Sequence, residues 1–311
     1  MKFRTELNIK QAPFQINPFE GMVFMGSCFS DQMGERFKRL GIPLLTNPFG
    51  VIFHPLPLLE IVSKSLDPEF SYSPANLLHH ENRFYSLAHH GSYSDKSKER
   101  LIEKLNLDIG LLRHGLANSK LLCLTLGTSF GYESKGRVVA NCHKLPQTFF
   151  EKKLTSLAVI EKKLEEVTEA LHRKNPSLKI VLTVSPVRHV KDGLVENNRS
   201  KAQLLTAVHN VCESTGNAFY FPSYELVVDD LRDYRFFKKD LVHPSEMAVD
   251  YVQEAFLKFV FDEKSIKVIE ELHKFQLFQS HKVSSENKER HELKVQEKKS
   301  ELTKKYPKVE V

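Results

Sequence analysis

Gly21-Met-Val-Phe-Met-Gly26, followed at once by Ser27-Cys28-Phe29-Ser30, is the stretch on which the reading of this chain turns. Four consecutive apolar residues suit a strand buried on both faces, as in a parallel sheet covered by helices. Gly26 and Ser27 break the strand, and residues 31–40 then carry apolar positions at helical spacing. The unit is therefore strand, tight turn, helix. Working outward, residues 42–46 predict a second strand, Asn47-Pro48-Phe49-Gly50 a turn, and 56–65 a helix. The alternation continues with a helix over 95–118, a strand over 120–126, and a hairpin turn at 133–136 returning through 137–140. A long helix is predicted over 149–174, then a strand over 179–184, a helix over 200–215, a strand over 218–221 and a helix over 244–261. This order predicts a three-layer α/β/α domain around a parallel sheet, whose active site lies beyond the carboxyl ends of the strands.

The domain is expected to span residues 1–265. Residues 67–94, rich in Ser, Asn, Tyr and His without a sustained period, are read as an insertion. Residues 266–311 are read as a charged extension, helical or disordered. Its apolar stripe from Ile266 to Phe278 is expected to dock or to support self-association.

Composition narrows the function. The 311 residues are 41% hydrophobic and 27% charged, enough for one large core and unlike a disordered or fibrous chain. No apolar run approaches the ~18 residues of a membrane span, and the first residues lack the apolar core of a secretory signal. A cytoplasmic protein is expected. The 45 Lys and Arg against 39 Asp and Glu leave +6, and residues 281–311 hold nine of the basic and six of the acidic groups. Half of the excess sits in that tail, so no basic groove for nucleic acid is indicated. The cysteines Cys28, Cys123, Cys142 and Cys212 form no C-x-x-C pair and are expected as thiols.

Two places suggest chemistry. Ser27 follows the first strand at a helix N-terminus, where free amides can meet a developing oxyanion; a simple capping role for Ser27 or Ser30 is the alternative. Asp240-Leu-Val-His243 precedes the last strong helix, and a separation of three lets carboxylate and imidazole meet across one turn. The carboxylate would fix the tautomer of a histidine that takes the proton of a serine. The alternative is a surface turn with Ser245 as an ordinary cap.

Together these residues resemble the GSCFA-domain family: Gly26-Ser-Cys-Phe-Ser30 is similar to its signature, with Ser in place of the last Ala. Asn47-Pro-Phe-Gly50, Leu126-Gly-Thr128, Val139-Ala-Asn-Cys-His-Lys144, Ser185-Pro-Val-Arg-His189, Ser200-Lys201, Phe221-Pro-Ser-Tyr-Glu225 and Asp240-x-x-His243-Pro extend the resemblance to about residue 260. It implies a flavodoxin-like fold of the SGNH-hydrolase type and a serine hydrolase site with Ser27 as nucleophile, His243 as base, Asp240 as its orienting carboxylate and Gly50 as an oxyanion donor. The superfamily's Gly-x-Asn-Asp block has no asparagine here, since Leu126-Gly-Thr-Ser129 stands in its place. Asn141 is the favoured substitute, with Thr128 or Ser129 as alternatives.

Cys28 is a competing nucleophile by residue type, but beside an outward Ser27 it is expected to pack beneath as a small apolar residue. A zinc site from Cys28, Cys142, His143 and His243 lacks the usual spacing, so no metal and no cofactor are expected. His89 and His90 in the insertion, with Arg188 near the end of a strand, are candidate substrate contacts; local packing is the alternative. The expected activity is hydrolysis of a carboxylic ester, an O-acyl group on a carbohydrate being the leading candidate. Transfer of the acyl group to an alcohol, or carbohydrate binding or scaffolding without catalysis, are the alternatives.

Overall fold

In the computed structural model, which describes residues 4–281, 283, 284 and 287–307, the strand–turn–helix opening is realised as β1 (Met22–Gly26) and α1 (Cys28–Arg39). The chain continues through β2 (Leu44–Thr46), α2 (Pro55–Leu66), β3 (Leu78–His80), β4 (Arg83–Tyr85), β5 (Ser94–Asp95) and α3 (Lys98–Asn118). Next come β6 (Leu121–Leu126), β7 (Phe130–Ser134), β8 (Arg137–Val139), β9 (Glu151–Leu154), α4 (Leu157–Lys174) and β10 (Lys179–Val184). The remaining elements are α5 (Leu194–Thr215), β11 (Ala218–Tyr220), the short turn α6 (Ser223–Glu225) with a π-helical turn over Leu226–Leu231, α7 (Glu246–Val260), α8 (Glu263–Ser280) and α9 (Lys288–Lys305).

Five strands, in the order β11-β10-β6-β1-β2, form one wholly parallel sheet. The order reverses between β1 and β6, so the connections leaving those two strands diverge and open a crevice at their carboxyl ends. Alternating side chains sort the sheet into two faces. Val23, Met25, Leu122, Leu124, Ile180 and Leu182 join the apolar faces of α2, α3, α4 and α5. Met22, Phe24, Leu121, Cys123 and Val181 join those of α1, α7 and α8. The mixed α/β fold with helices on both sides is thus the expected one, and each fully buried aliphatic or aromatic side chain contributes about 1.5–3 kcal/mol.

Several boundaries differ from the sequence reading. Residues 149–174 are not one helix: β9 pairs with β7 in a small antiparallel sheet with β8, and α4 begins only at Leu157. Cross-strand pairing with residues twenty positions earlier outweighs local periodicity there. Helix α5 begins at Leu194, six residues before the predicted start. The insertion folds as a three-stranded antiparallel sheet, β3-β4-β5. Within the extension, Ile269, Leu272 and Phe275 of α8 are buried in the same cluster as α1 and α7, whereas α9 buries Leu302 alone. Lys282, Ser285, Glu286 and residues 308–311 of the extension lie outside the described residues. Among the described residues no helix is long and apolar enough to cross a membrane.

Candidate active site

The carboxyl end of β1 is closed by a turn that only glycine can make. Gly26 has φ +128°, and a Cβ there would stand 2.1 Å from the Thr125 carbonyl oxygen. Its amide donates to Asn47 Oδ1 at 2.8 Å, and Asn47 Nδ2 donates in turn to Asp31 Oδ1 at 2.6 Å. The turn after β2 is thereby tied to the start of α1. Ser27 caps that helix: its Oγ accepts from the Phe29 amide at 3.2 Å. It is fully buried, whereas Cys28 is partly exposed. The sequence reading had the two exposures the other way round. A strand-to-helix turn presents successive residues in different directions, and periodicity does not say which one faces out.

Gly50 has φ +72°, and a Cβ there would lie 2.5 Å from His90 Cβ, so the insertion packs directly on this turn. The Gly50 amide already donates to Asn47 O at 2.7 Å, and the Ser27 amide to Thr125 O at 3.0 Å. Neither is free for an oxyanion, which corrects the expectation for Gly50. The turn's own closure consumes that N–H.

Asp240 and His243 do meet. His243 Nδ1 donates to Asp240 Oδ2 at 2.7 Å, and Asp240 Oδ1 accepts from the amides of Val242 and His243 at 2.9 and 3.0 Å. These backbone bonds, with the imidazole third, hold the Asp240 carboxyl down at about 2. The loop is exposed yet anchored, because Lys238 N donates to His243 O at 2.7 Å and Arg188 N to Val242 O at 3.4 Å. It therefore sits against the chain leaving β10.

A cavity of about 560 Å³ opens beside His243, walled by Phe53, Phe130, Val187, Asn141, Arg188 and His189. Asn141 and His243 are thus brought to one cavity. Asn141 Oδ1 accepts from the His143 amide at 2.8 Å. Arg188 stacks its guanidinium over Phe237 at 4.5 Å and Tyr234 at 5.2 Å. His89 is not a substrate contact: it is fully buried, bonded to Tyr72 Oη at 2.9 Å and Ser86 Oγ at 2.7 Å, and stacked on Phe49. Both ring nitrogens are occupied. His90 is exposed and bonds Ser92 Oγ at 3.1 Å. Among the described residues no three or more His, Cys, Asp or Glu gather as a metal site, so Cys28, Cys142, His143 and His243 are not brought together as ligands.

Three further residues stand at this rim. His54 caps α2 with Nδ1 and places Nε2 3.2 Å from Ser129 O and 3.0 Å from Thr155 Oγ1; burial pulls its pKa down to about 4. His189 is held near 4 by burial, then by Lys201, His243 and Lys152, and its buried Nε2 has no partner among the described residues. Lys201 reaches from α5 to donate to Gly127 O at 2.7 Å and Ser185 O at 2.6 Å, bracing the ends of β6 and β10. Ser200-Lys201 was quoted only as part of a pattern; an apolar-face position occupied by lysine was the available signal.

The family model for the GSCFA family matches residues 21–256. No curated protein matches the sequence. Among solved structures, the chain is similar to a carbohydrate esterase family 2 enzyme with a carbohydrate-binding domain from Corynascus thermopiles (Myceliophthora fergusii), at 12% identity and a TM-score of 0.40 over 81% of this chain and 68% of that one. A carbohydrate esterase family 3 protein from Talaromyces cellulolyticus matches at 10% identity and a TM-score of 0.34, over 80% and 98% of the two chains. An acetyl xylan esterase from Butyrivibrio proteoclasticus matches at 10% identity and 0.38, over 81% and 64%.

Proposed function

We propose that this chain, which belongs to the GSCFA family, is an ester hydrolase that works through a covalent acyl-enzyme, with an O-acylated carbohydrate as the substrate class. The observation that carries the reading is the 2.7 Å bond from His243 Nδ1 to an Asp240 carboxylate that is itself pinned by two backbone amides. With Nδ1 donating, Nε2 is left as the basic atom, and the pair stands at the carboxyl rim of the sheet beside a cavity.

In the mechanism a nucleophile on the Ser27-Cys28 turn attacks the ester carbonyl while His243 Nε2 takes its proton. The imidazolium hands that proton to the departing alcohol, and His243 then activates water to release the acid. The first amides of α1 lack intrahelical acceptors, and in this reading the Cys28 N–H among them receives the oxyanion. Asn141 Nδ2 is a second donor from the cavity wall. Phe53, Phe130 and Val187 offer apolar surface for an acyl chain or a sugar face, and Arg188 a polar edge.

The test is release of p-nitrophenolate from p-nitrophenyl acetate and of acetate from acetylated oligosaccharides by the purified full chain. Turnover that falls about 10²–10⁴-fold in His243→Ala supports the reading. Rates equal to buffer with both substrates would end it.

A further inference from the structure

The nucleophile of the proposed esterase can be assigned from how the turn spends its polar groups, and this assignment rests on that esterase reading. The backbone of Ser27 already serves the fold, its amide donating to Thr125 O and its carbonyl accepting from Ser30 N at 2.9 Å, and its Oγ is fully buried and accepts from Phe29 N. Turning Oγ toward a substrate would uncap α1 and leave a buried amide unsatisfied, a cost of about 1–3 kcal/mol. Cys28 has neither constraint. It stands partly exposed at the first position of α1.

The second observation concerns Lys201 of α5. Lys201 is 1% exposed, has two carbonyl acceptors for three N–H donors, and has no carboxylate within ion-pair distance among the described residues. A buried ammonium without an anion is costly. The acidic group whose charge bears on Lys201 is Cys28. Its other neighbours are the Tyr224 ring at 6.0 Å and His189, which burial keeps neutral. The charged groups that bear on Cys28 are Asp31, Lys201 and Lys238.

We infer that the Cys28 thiolate is the nucleophile, with Lys201 as the positioning residue that supplies its missing counter-charge. Burial and then Asp31 push the Cys28 thiol up, and its own backbone N–H, then Lys201 and Lys238, offset only part of that rise. The resting group is thus a thiol that needs a base. His243 Nε2 takes the thiol proton as Sγ bonds to the carbonyl carbon and the carbonyl electron pair moves to oxygen. Collapse breaks the bond to the alkoxide, which leaves with the proton from His243, and Cys28 holds a thioester. Water attacks that thioester while giving its proton to His243. Collapse expels the thiolate beside Lys201, releases the acid, and the imidazolium returns its proton to sulfur.

The test uses the wild-type full chain. It is mixed with p-nitrophenyl acetate, quenched in acid during the first turnover, and mapped by tandem mass spectrometry, with neutral hydroxylamine as a second readout. An acetyl group on Cys28, removed by hydroxylamine, is expected; it should persist in Ser27→Ala and vanish in Cys28→Ala. Acetyl on Ser27, stable to hydroxylamine, would overturn the assignment and leave the esterase reading standing. No acetyl on either residue, with no p-nitrophenolate above buffer, would overturn both. For Lys201, the pH profile of Cys28 alkylation by iodoacetamide should move upward in Lys201→Met, with about a tenfold slower rate at pH 7. An unmoved profile removes Lys201 from the mechanism. Lys201→Gln, which keeps a neutral N–H donor at that position, gives the same readout if the methionine variant fails to fold.

Discussion

The two halves of the proposed apparatus are built in opposite ways. The turn at Gly26 and Ser27 is buried, and it is held by groups from β6 and from the turn after β2, the former about a hundred positions away in the chain. The loop from Asp240 to His243 is exposed and makes its own geometry within four residues. The difference teaches where each half is vulnerable. Damage to the turn should register first as lost folding, whereas damage to the loop should register as lost chemistry in a folded protein.

Gly26→Ala is the sharpest way to break that contrast. A Cβ 2.1 Å from a backbone oxygen at φ +128° cannot be relieved by rotating a side chain, so a loss of more than about 4 kcal/mol is expected. Urea unfolding with a near-native midpoint would show that the turn is less constrained than its geometry implies. Next in size is the loop: His243→Ala should slow ester turnover by about 10²–10⁴-fold, or ~3–5 kcal/mol, with an unchanged urea midpoint. Adding Asp240→Ala should cost little more, since an orienting group is worthless without the base it orients. Losses that multiply in the double variant would make the two residues independent.

A pH-dependent effect concerns Lys201. Burial draws its pKa down to about 7 in the folded chain, against ~10.4 when unfolded. The unfolded state therefore binds the extra proton between those values, and stability should rise as pH rises from about 7 to 10. The slope is at most ~1.4 kcal/mol per pH unit, and the penalty is fully present below pH 7. Urea midpoints measured across that range should climb in the wild type and stay level in Lys201→Met. A level wild-type curve would mean that the amine is not held neutral by burial. The smallest effect belongs to Ser27→Ala, expected to cost about 1 kcal/mol through the lost cap of α1 while keeping ester turnover. Abolished turnover at unchanged stability would return the chemistry to the serine hydroxyl.

How far the sequence could be read follows the same division. The apolar run 22–25 and its successors announced strands buried on both faces, because burial on two sides leaves no polar alternation to obscure them. Asp240 and His243 were legible as a pair because three residues of backbone suffice to bring them together. The sequence alone therefore determined the α/β alternation and the pairing of His243 with Asp240. Tertiary structure decided the rest of the site. It buried Ser27 and left Cys28 partly exposed, spent the Gly50 amide on a turn, sealed His89 between Tyr72 and Ser86, and buried Lys201 against the Gly127 and Ser185 carbonyls. Each outcome depends on partners far along the chain competing for the same hydrogen bonds and the same buried space. That competition is resolved only when the strands have paired and their carboxyl ends stand side by side.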